Sequence, residues 1–362
     1  MAIDVADPRV NTSWSSAADD TPASLHVADD TPASLHVADD TPASLQVFTM
    51  VNYVILSGTI SAVGIVFNII NVIVFTKLGF TDSVNVTLLW LSVTDTMVLL
   101  LMVGYSLVHN PLLAQRFSHH DYLEAFGYLA FFWPRVVFKH ISKCLTAFLA
   151  FERFLCISRP LKVKAIITHT TTCVSITAIY ALNILAVVPI YACFSIGLTF
   201  DTLTNATTAG LVTSPDAPQL QNVTMTTNMF VHMTSFVLVT TFTIGLLKIF
   251  HRKSQWRHST SSAGRNSSAS SRDDKMVKLV ILVSSVFVTC SFPSFVGAVA
   301  MLLAEDSALF NDVILVMFSV FFVLDSINAT ANIFIYINMS SRFRLTLQLM
   351  VKDVWSGSPR LK

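Results

Sequence analysis

Three cations stand at four-residue spacing inside one apolar stretch: Arg135, Lys139 and Lys143. On a helix, positions i, i+4 and i+8 fall on one face, so these side chains form a basic ladder. Ionisable groups in hydrocarbon are costly, which makes each one a functional candidate by default. Three cations cannot face lipid. They must face water, acidic partners or an anionic ligand. Asp325, in a later apolar stretch, is the obvious internal acid, and Glu305 and Asp306 stand at the end of another. Two readings stay open. One is an Arg135–Asp325 ion pair; the other is an anion site in which Arg135 or Lys139 meets a ligand carboxylate or peptide C-terminus through charge-assisted bonds.

A second constellation is polar but nearly uncharged. Asp95 sits in the middle of an apolar run, Asn68 in another, Ser142 beside the basic ladder, and Asn328 and Asn332 one turn apart near Asp325. Oxygen donors around a carboxylate suit a hard cation, so Asp95, Ser142 and Asn328 are candidate sodium ligands. The same groups equally suit a hydrogen-bond network that holds helices together. No other cofactor is expected. A third feature is the adjacent pair Glu152–Arg153 at the end of the basic stretch, an acid and a base able to exchange partners.

These residues need elements to hold them, and the composition says which. Of 362 residues, 53% are hydrophobic and 12% charged, about half the usual charge of a soluble domain. Seven charge-poor stretches lie at roughly 51–75, 85–107, 126–150, 172–197, 229–250, 277–303 and 308–337. Each reaches the ~20 residues a helix needs to cross a bilayer core. None alternates polar with apolar, as barrel strands would. The expected fold is an all-α, seven-transmembrane helix bundle, with the third span the least hydrophobic.

Basic residues set the orientation. Lys77, Arg153, Arg159, Lys162 and Lys164, the eight cations from Lys248 to Lys278, and the five from Arg342 to Lys362 all fall on one side. Arg9 and Arg116 alone fall on the other, and the ladder supplies the rest. The basic side is therefore cytoplasmic and the N-terminus extracellular, with the first helix serving as an uncleaved signal-anchor. Residues 1–48 read as a disordered tail. In it the unit Ala-Asp-Asp-Thr-Pro-Ala-Ser-Leu-His-Val runs three times from Ala18 to Val47, with Gln46 replacing the last His. Residues 49–340 form the bundle, and 341–362 a cytoplasmic tail. In that tail Phe343, Leu347 and Met350 beside Arg342 predict a short amphipathic helix on the inner membrane surface. Sequons at Asn11, Asn205 and Asn222 lie on the outer side, where glycosylation is expected. The 198–227 segment reads as a long loop rich in Thr, Asn and Pro, and 251–275 as a flexible basic loop. Its Ser259–Ser271 tract suits phosphorylation or a plain linker. The five cysteines fall in or beside helices, so no external disulfide is proposed.

Five marks in order carry a family resemblance. They are Gly64-Ile-Val-Phe-Asn68, Leu91-Ser-Val-Thr-Asp95, Glu152-Arg153-Phe154, Cys290-Ser-Phe-Pro293 and Asn332-Ile-Phe-Ile-Tyr336. Together they resemble rhodopsin-like (class A) G-protein-coupled receptors over about residues 50–350. The run from Phe151 to Lys164 is similar to invertebrate, molluscan chemosensory and neuropeptide-type receptors. The resemblance implies a plasma-membrane receptor that converts an extracellular ligand into activation of a heterotrimeric G protein. The ligand is expected to be a chemosensory small molecule, or alternatively a neuropeptide. Glu152, Arg153, Pro293, Asn332 and Tyr336 would form the coupling and activation switch, and Arg135, Lys139 and Asp325 would be ligand contacts. Arg153 would pair with Glu152, or with Asp273 or Asp274 at the foot of the sixth helix, and its release would free that foot.

The sequence also departs from the pattern. Ser291 stands where the family has Trp, Ile333 where it has Pro, and Tyr128 where it has the disulfide cysteine. A transporter of seven helices would show inverted repeats or broken helices, which are missing here. A retinal receptor would need a lysine in the seventh span, and 305–341 has none. No nucleophile–base pair or metal cluster suggests an enzyme.

Overall fold

The computed structural model describes residues 42–80, 82–114, 120–159, 163, 166–201, 206–259, 268–303 and 308–355. The first two repeats, the sequons Asn11 and Asn205, and Glu305 and Asp306 lie outside these residues. Seven long helices are present. They are α1 (Ala43–Leu78), α2 (Ser83–Val108), α3 (Trp133–Ser158), α4 (His169–Cys193), α5 (Ala217–Ser259), α6 (Ser268–Leu303) and α7 (Ala308–Met339), followed by α8 (Ser341–Trp355). Six of the seven contain a window apolar enough to cross a membrane; α3 is the exception, because it carries the ladder, Glu152 and Arg153.

The exception is explained by position. α3 packs against α2, α4, α5 and α6, so it is the central helix and has little lipid to face. Ile141, Leu145 and Leu149 bury one side of it in the main core. The outer helices reverse this pattern. On α4, Val174, Leu182, Leu185 and Val188 are exposed, as a lipid-facing surface requires.

Local signals set several helix ends. Asp82 caps α2, its carboxylate accepting from the Val84 N–H, and Thr168 with Thr171 forms a reciprocal capping box on α4. Gly79 ends α1 at a φ of 81°, a conformation that favours glycine. α1 begins at Ala43, earlier than the apolar run suggests, and passes through a π-helical turn at Val51–Leu56. The serines and asparagines of α1 are spent on α7. Asn52 Nδ2 donates to Ser319 Oγ (3.0 Å), Ser61 and Ser326 hydroxyls meet at 3.1 Å, and Asn68 Nδ2 donates to the Ala329 carbonyl (2.8 Å). Gly64 permits this approach, since a Cβ there would strike Leu99 and Thr330.

The outer segment expected to be an irregular loop is instead partly a β-hairpin. Phe194–Asp201 pairs antiparallel with Ala206–Thr213, and α5 begins soon after, at Ala217. β-branched and aromatic residues (Phe194, Ile196, Thr199, Thr208, Val212) supply the strand propensity. The hairpin is fixed to α3 without a disulfide. Above Trp133 the chain continues through a π-helical turn, Tyr128–Phe132, and there the buried Tyr128 meets Phe194 edge-on at 5.8 Å and Trp133 at 5.9 Å. None of the five cysteines forms a disulfide, and Cys193 is buried beside this cluster. At the inner side, α5 and α6 extend to Ser259 and from Ser268, so much of the expected flexible loop is helical.

α8 forms where the apolar spacing predicts it. Phe343 is fully buried against Phe75 and Tyr336, with ring centroids 5.3 and 5.6 Å away, while Leu345 and Leu349 remain exposed.

Candidate functional site

The C-terminal end of α3 separates the two members of the Glu152–Arg153 pair. Glu152 is buried, and its two oxygens accept from Thr87 of α2 (3.2 Å) and Thr172 of α4 (3.1 Å). Arg153 instead reaches Asp82, the α2 cap, at 3.6 Å. Neither Glu152 nor Asp274 is its partner in this state. Asp274 is taken by Lys253, which joins the inner ends of α5 and α6 at 3.3 Å, and the Asp273 side chain lies outside the described residues. Pro293 lies inside α6, where it removes one backbone donor. Ser291 is buried one turn before Ser294, whose hydroxyl donates to the Ser291 carbonyl. Phe236 of α5, stacked on Phe295 at 4.4 Å, and Phe287 of α6 fill the space between these helices.

Asp95 lies at the centre of the bundle. Ser142 of α3 donates to Oδ1 (2.7 Å) and Asn332 of α7 donates to Oδ2 (2.9 Å), so one carboxylate links three helices. Asn68 sits nearby on α1, held by Gly64 and Ala329 carbonyls. Asn328 is half-buried and makes no hydrogen bond to Asp95 among the described residues, so the expected ligand from that position is replaced by Asn332. Chemically the site fits a hard cation only in part. The Asp95 carboxylate and the Ser142 hydroxyl offer oxygens, but Asn332 presents its NH2 group. Tyr336, one turn below Asn332, is fully buried against Phe75 at 5.1 Å, and Ile333 lets α7 run straight through this level.

The basic ladder faces inward, as three cations in a membrane helix require. Arg135 Nη2 and Lys139 Nζ both meet Asp325 Oδ2, at 3.2 and 3.1 Å, so the acid is shared by two rungs. The Arg135 guanidinium lies 3.9 Å over the Phe322 ring, in a cluster with Tyr105, Tyr53 and Phe132. Lys143, the lowest rung, is buried and donates to Nδ1 of His232 on α5 at 2.8 Å. Neither that contact nor Asp82 was foreseen. An Asp directly before an apolar run does signal a helix cap, which could have drawn attention to Asp82; nothing in the spacing points to His232. Separately, an apolar groove of about 450 Å³ lies between α3, α4 and α5, lined by residues such as Phe148, Phe230 and Leu238, with no charged side chain in it.

A central polar helix packed among apolar ones defines a multi-pass seven-helix membrane protein. A family model described as 7 transmembrane receptor (rhodopsin family) matches residues 67–336, more than half of the chain. The chain belongs to this family of receptors, which are not enzymes. Among curated proteins there is no significant match.

Proposed function

We propose that this receptor sits in the plasma membrane with its N-terminus outside, binds a chemosensory small molecule at the outer ends of α3 and α7, and activates a heterotrimeric G protein. One observation carries the signalling half of this reading. Among the described residues Arg153 has one ion pair, at 3.6 Å to a partly exposed acid, while its neighbour Glu152 is anchored by two hydroxyls on other helices. Exposed pairs of this kind contribute at most about 1 kcal/mol. Arg153 is thus a base poised to change partner, beside a proline-bearing α6 whose foot could swing and open a groove for a partner helix. Agonist binding would act as a population shift between two such states. Asp95 and Asn332 join α2, α3 and α7 between the two ends, and a sodium ion at Asp95 and Ser142 would stabilise the resting arrangement. The likeness of the Phe151–Lys164 run to invertebrate receptors favours a chemosensory ligand. Asn222, exposed near the outer end of α5, is a position for glycosylation, as are Asn11 and Asn205.

The test is Arg153→Ala in cells expressing the full chain. Agonist-stimulated nucleotide exchange on a G protein should vanish while surface expression persists. Undiminished exchange in that variant would refute the switch. A panel of amino acids, small acids and amidated peptides identifies the ligand class, and a response confined to the peptides would replace the small-molecule reading.

A further inference from the structure

The ladder has more basic side chains than acids in contact with them. Arg135, Lys139 and Lys143 stand within two helical turns, and among the described residues Asp325 is the one carboxylate in contact with them. That acid meets the upper two rungs directly; among the described residues the hydrogen bond of Lys143 goes to an imidazole, and Asp325 acts on it through its field without touching it. Arg135 is 1% exposed, yet its Nε and Nη1 have no hydrogen-bond partner. His140, also buried, has an unpartnered Nδ1, and it lies in the electrostatic field of Lys139, Lys143 and His232. His232 further approaches the backbone of Ser294 on α6, so the lower rung sits where α3, α5 and α6 meet.

A buried cation without a counterion is strongly unfavourable, and unpaired guanidinium N–H groups add to that cost. Side chains arranged this way are complete only when an anion joins them. The ring face of Phe322 compensates Arg135 in part and does nothing for Lys143. Lys139 is the most exposed rung, at 20%. We propose that the lower ladder is an anion subsite: a carboxylate of a small organic acid enters past Lys139 and seats on Lys143, with Arg135 turning its unpartnered N–H groups toward the same ligand. The inference rests on the receptor reading above and names its ligand class. Asp325 then acts as an internal competitor that holds Arg135 and Lys139 until the ligand carboxylate arrives. A dicarboxylate can meet two rungs at once, which a monocarboxylate cannot.

Thermal stability of the purified full-length receptor tests this without a G protein. Succinate should raise Tm in proportion to the logarithm of its concentration, as a ligand of the folded state must. Lys143→Met and, separately, Arg135→Gln should each weaken the apparent succinate affinity by about tenfold or more, the scale of a lost charge-assisted bond. The wild-type titration alone is decisive even if a variant fails to fold. No rise with succinate or acetate overturns the site, as does a rise matched by chloride at equal ionic strength or one unchanged in Lys143→Met. Stabilisation without stimulated nucleotide exchange leaves this subsite standing and refutes the signalling reading instead.

Discussion

Removing the shared acid of the ladder is the sharpest perturbation of this fold. Asp325 Oδ2 lies 3.2 Å from Arg135 and 3.1 Å from Lys139. At an effective dielectric of about 20, each contact is worth ~5 kcal/mol of attraction before desolvation is counted. Asp325→Ala erases both and leaves two cations facing each other, with Arg135 too buried to recover solvation. Breaking a buried pair by deleting one side typically costs about 3–5 kcal/mol. At roughly 2–4 °C per kcal/mol, Tm should fall by about 10 °C. The measurement is a thermal melt of the purified receptor in low-anion buffer. The compensated triple variant, Arg135→Met with Lys139→Met and Asp325→Leu, should recover most of the loss, since the two cations that Asp325 held are then removed with it. A fall under about 1 kcal/mol for Asp325→Ala, or a triple variant no better than the single one, would refute the claim that charge balance governs this region.

Other perturbations reach different levels of the bundle. Asp82→Ala removes the Arg153 contact and the α2 cap together; basal nucleotide exchange should rise by roughly two- to fivefold, with a stability loss of about 1 kcal/mol readable in the same melt. Asp95→Ala strands Ser142 and Asn332 and should lower stability by about 3 kcal/mol, while any Tm dependence on sodium disappears. Because none of the five cysteines forms a disulfide, dithiothreitol should leave the melting temperature unchanged. Phe194→Ala should loosen the outer hairpin instead, costing up to about 3–5 kcal/mol and exposing residues 194–213 to protease.

The spans were legible because lipid imposes length and charge exclusion on each helix separately, a local signal that sequence carries in full. The α8 apolar positions were legible for the same reason, Phe343 falling into the core as its spacing requires. Pairing across helices was harder. Asp325 could be matched to Arg135 because it is an acid inside an apolar run, and buried charges need partners. Arg153 had several acids at that end of the bundle to choose from, and sequence alone does not say that it meets Asp82 while Asp274 meets Lys253. The Lys143–His232 contact could not be foreseen, because no rule of complementarity joins two bases. The hairpin at Phe194–Thr213 was hidden by its threonines, which serve a strand and a polar loop equally well.

The charges of α3 also bear on how the receptor is made. Near the middle of a membrane span, each Lys or Arg opposes insertion by about 2.5–3.5 kcal/mol, so the ladder alone weighs against α3 by roughly 7–10 kcal/mol. The helix's own apolar residues, spread over a segment that fails to qualify as a span, do not offset this. Its counterion Asp325 emerges from the ribosome 190 residues after Arg135. During synthesis α3 must therefore wait in a protein-lined or hydrated setting, beside α2 and α4, until α7 delivers the acid. Biogenesis of this receptor is a cooperative act of the whole chain, in which the central helix is the last to become at home in the bilayer.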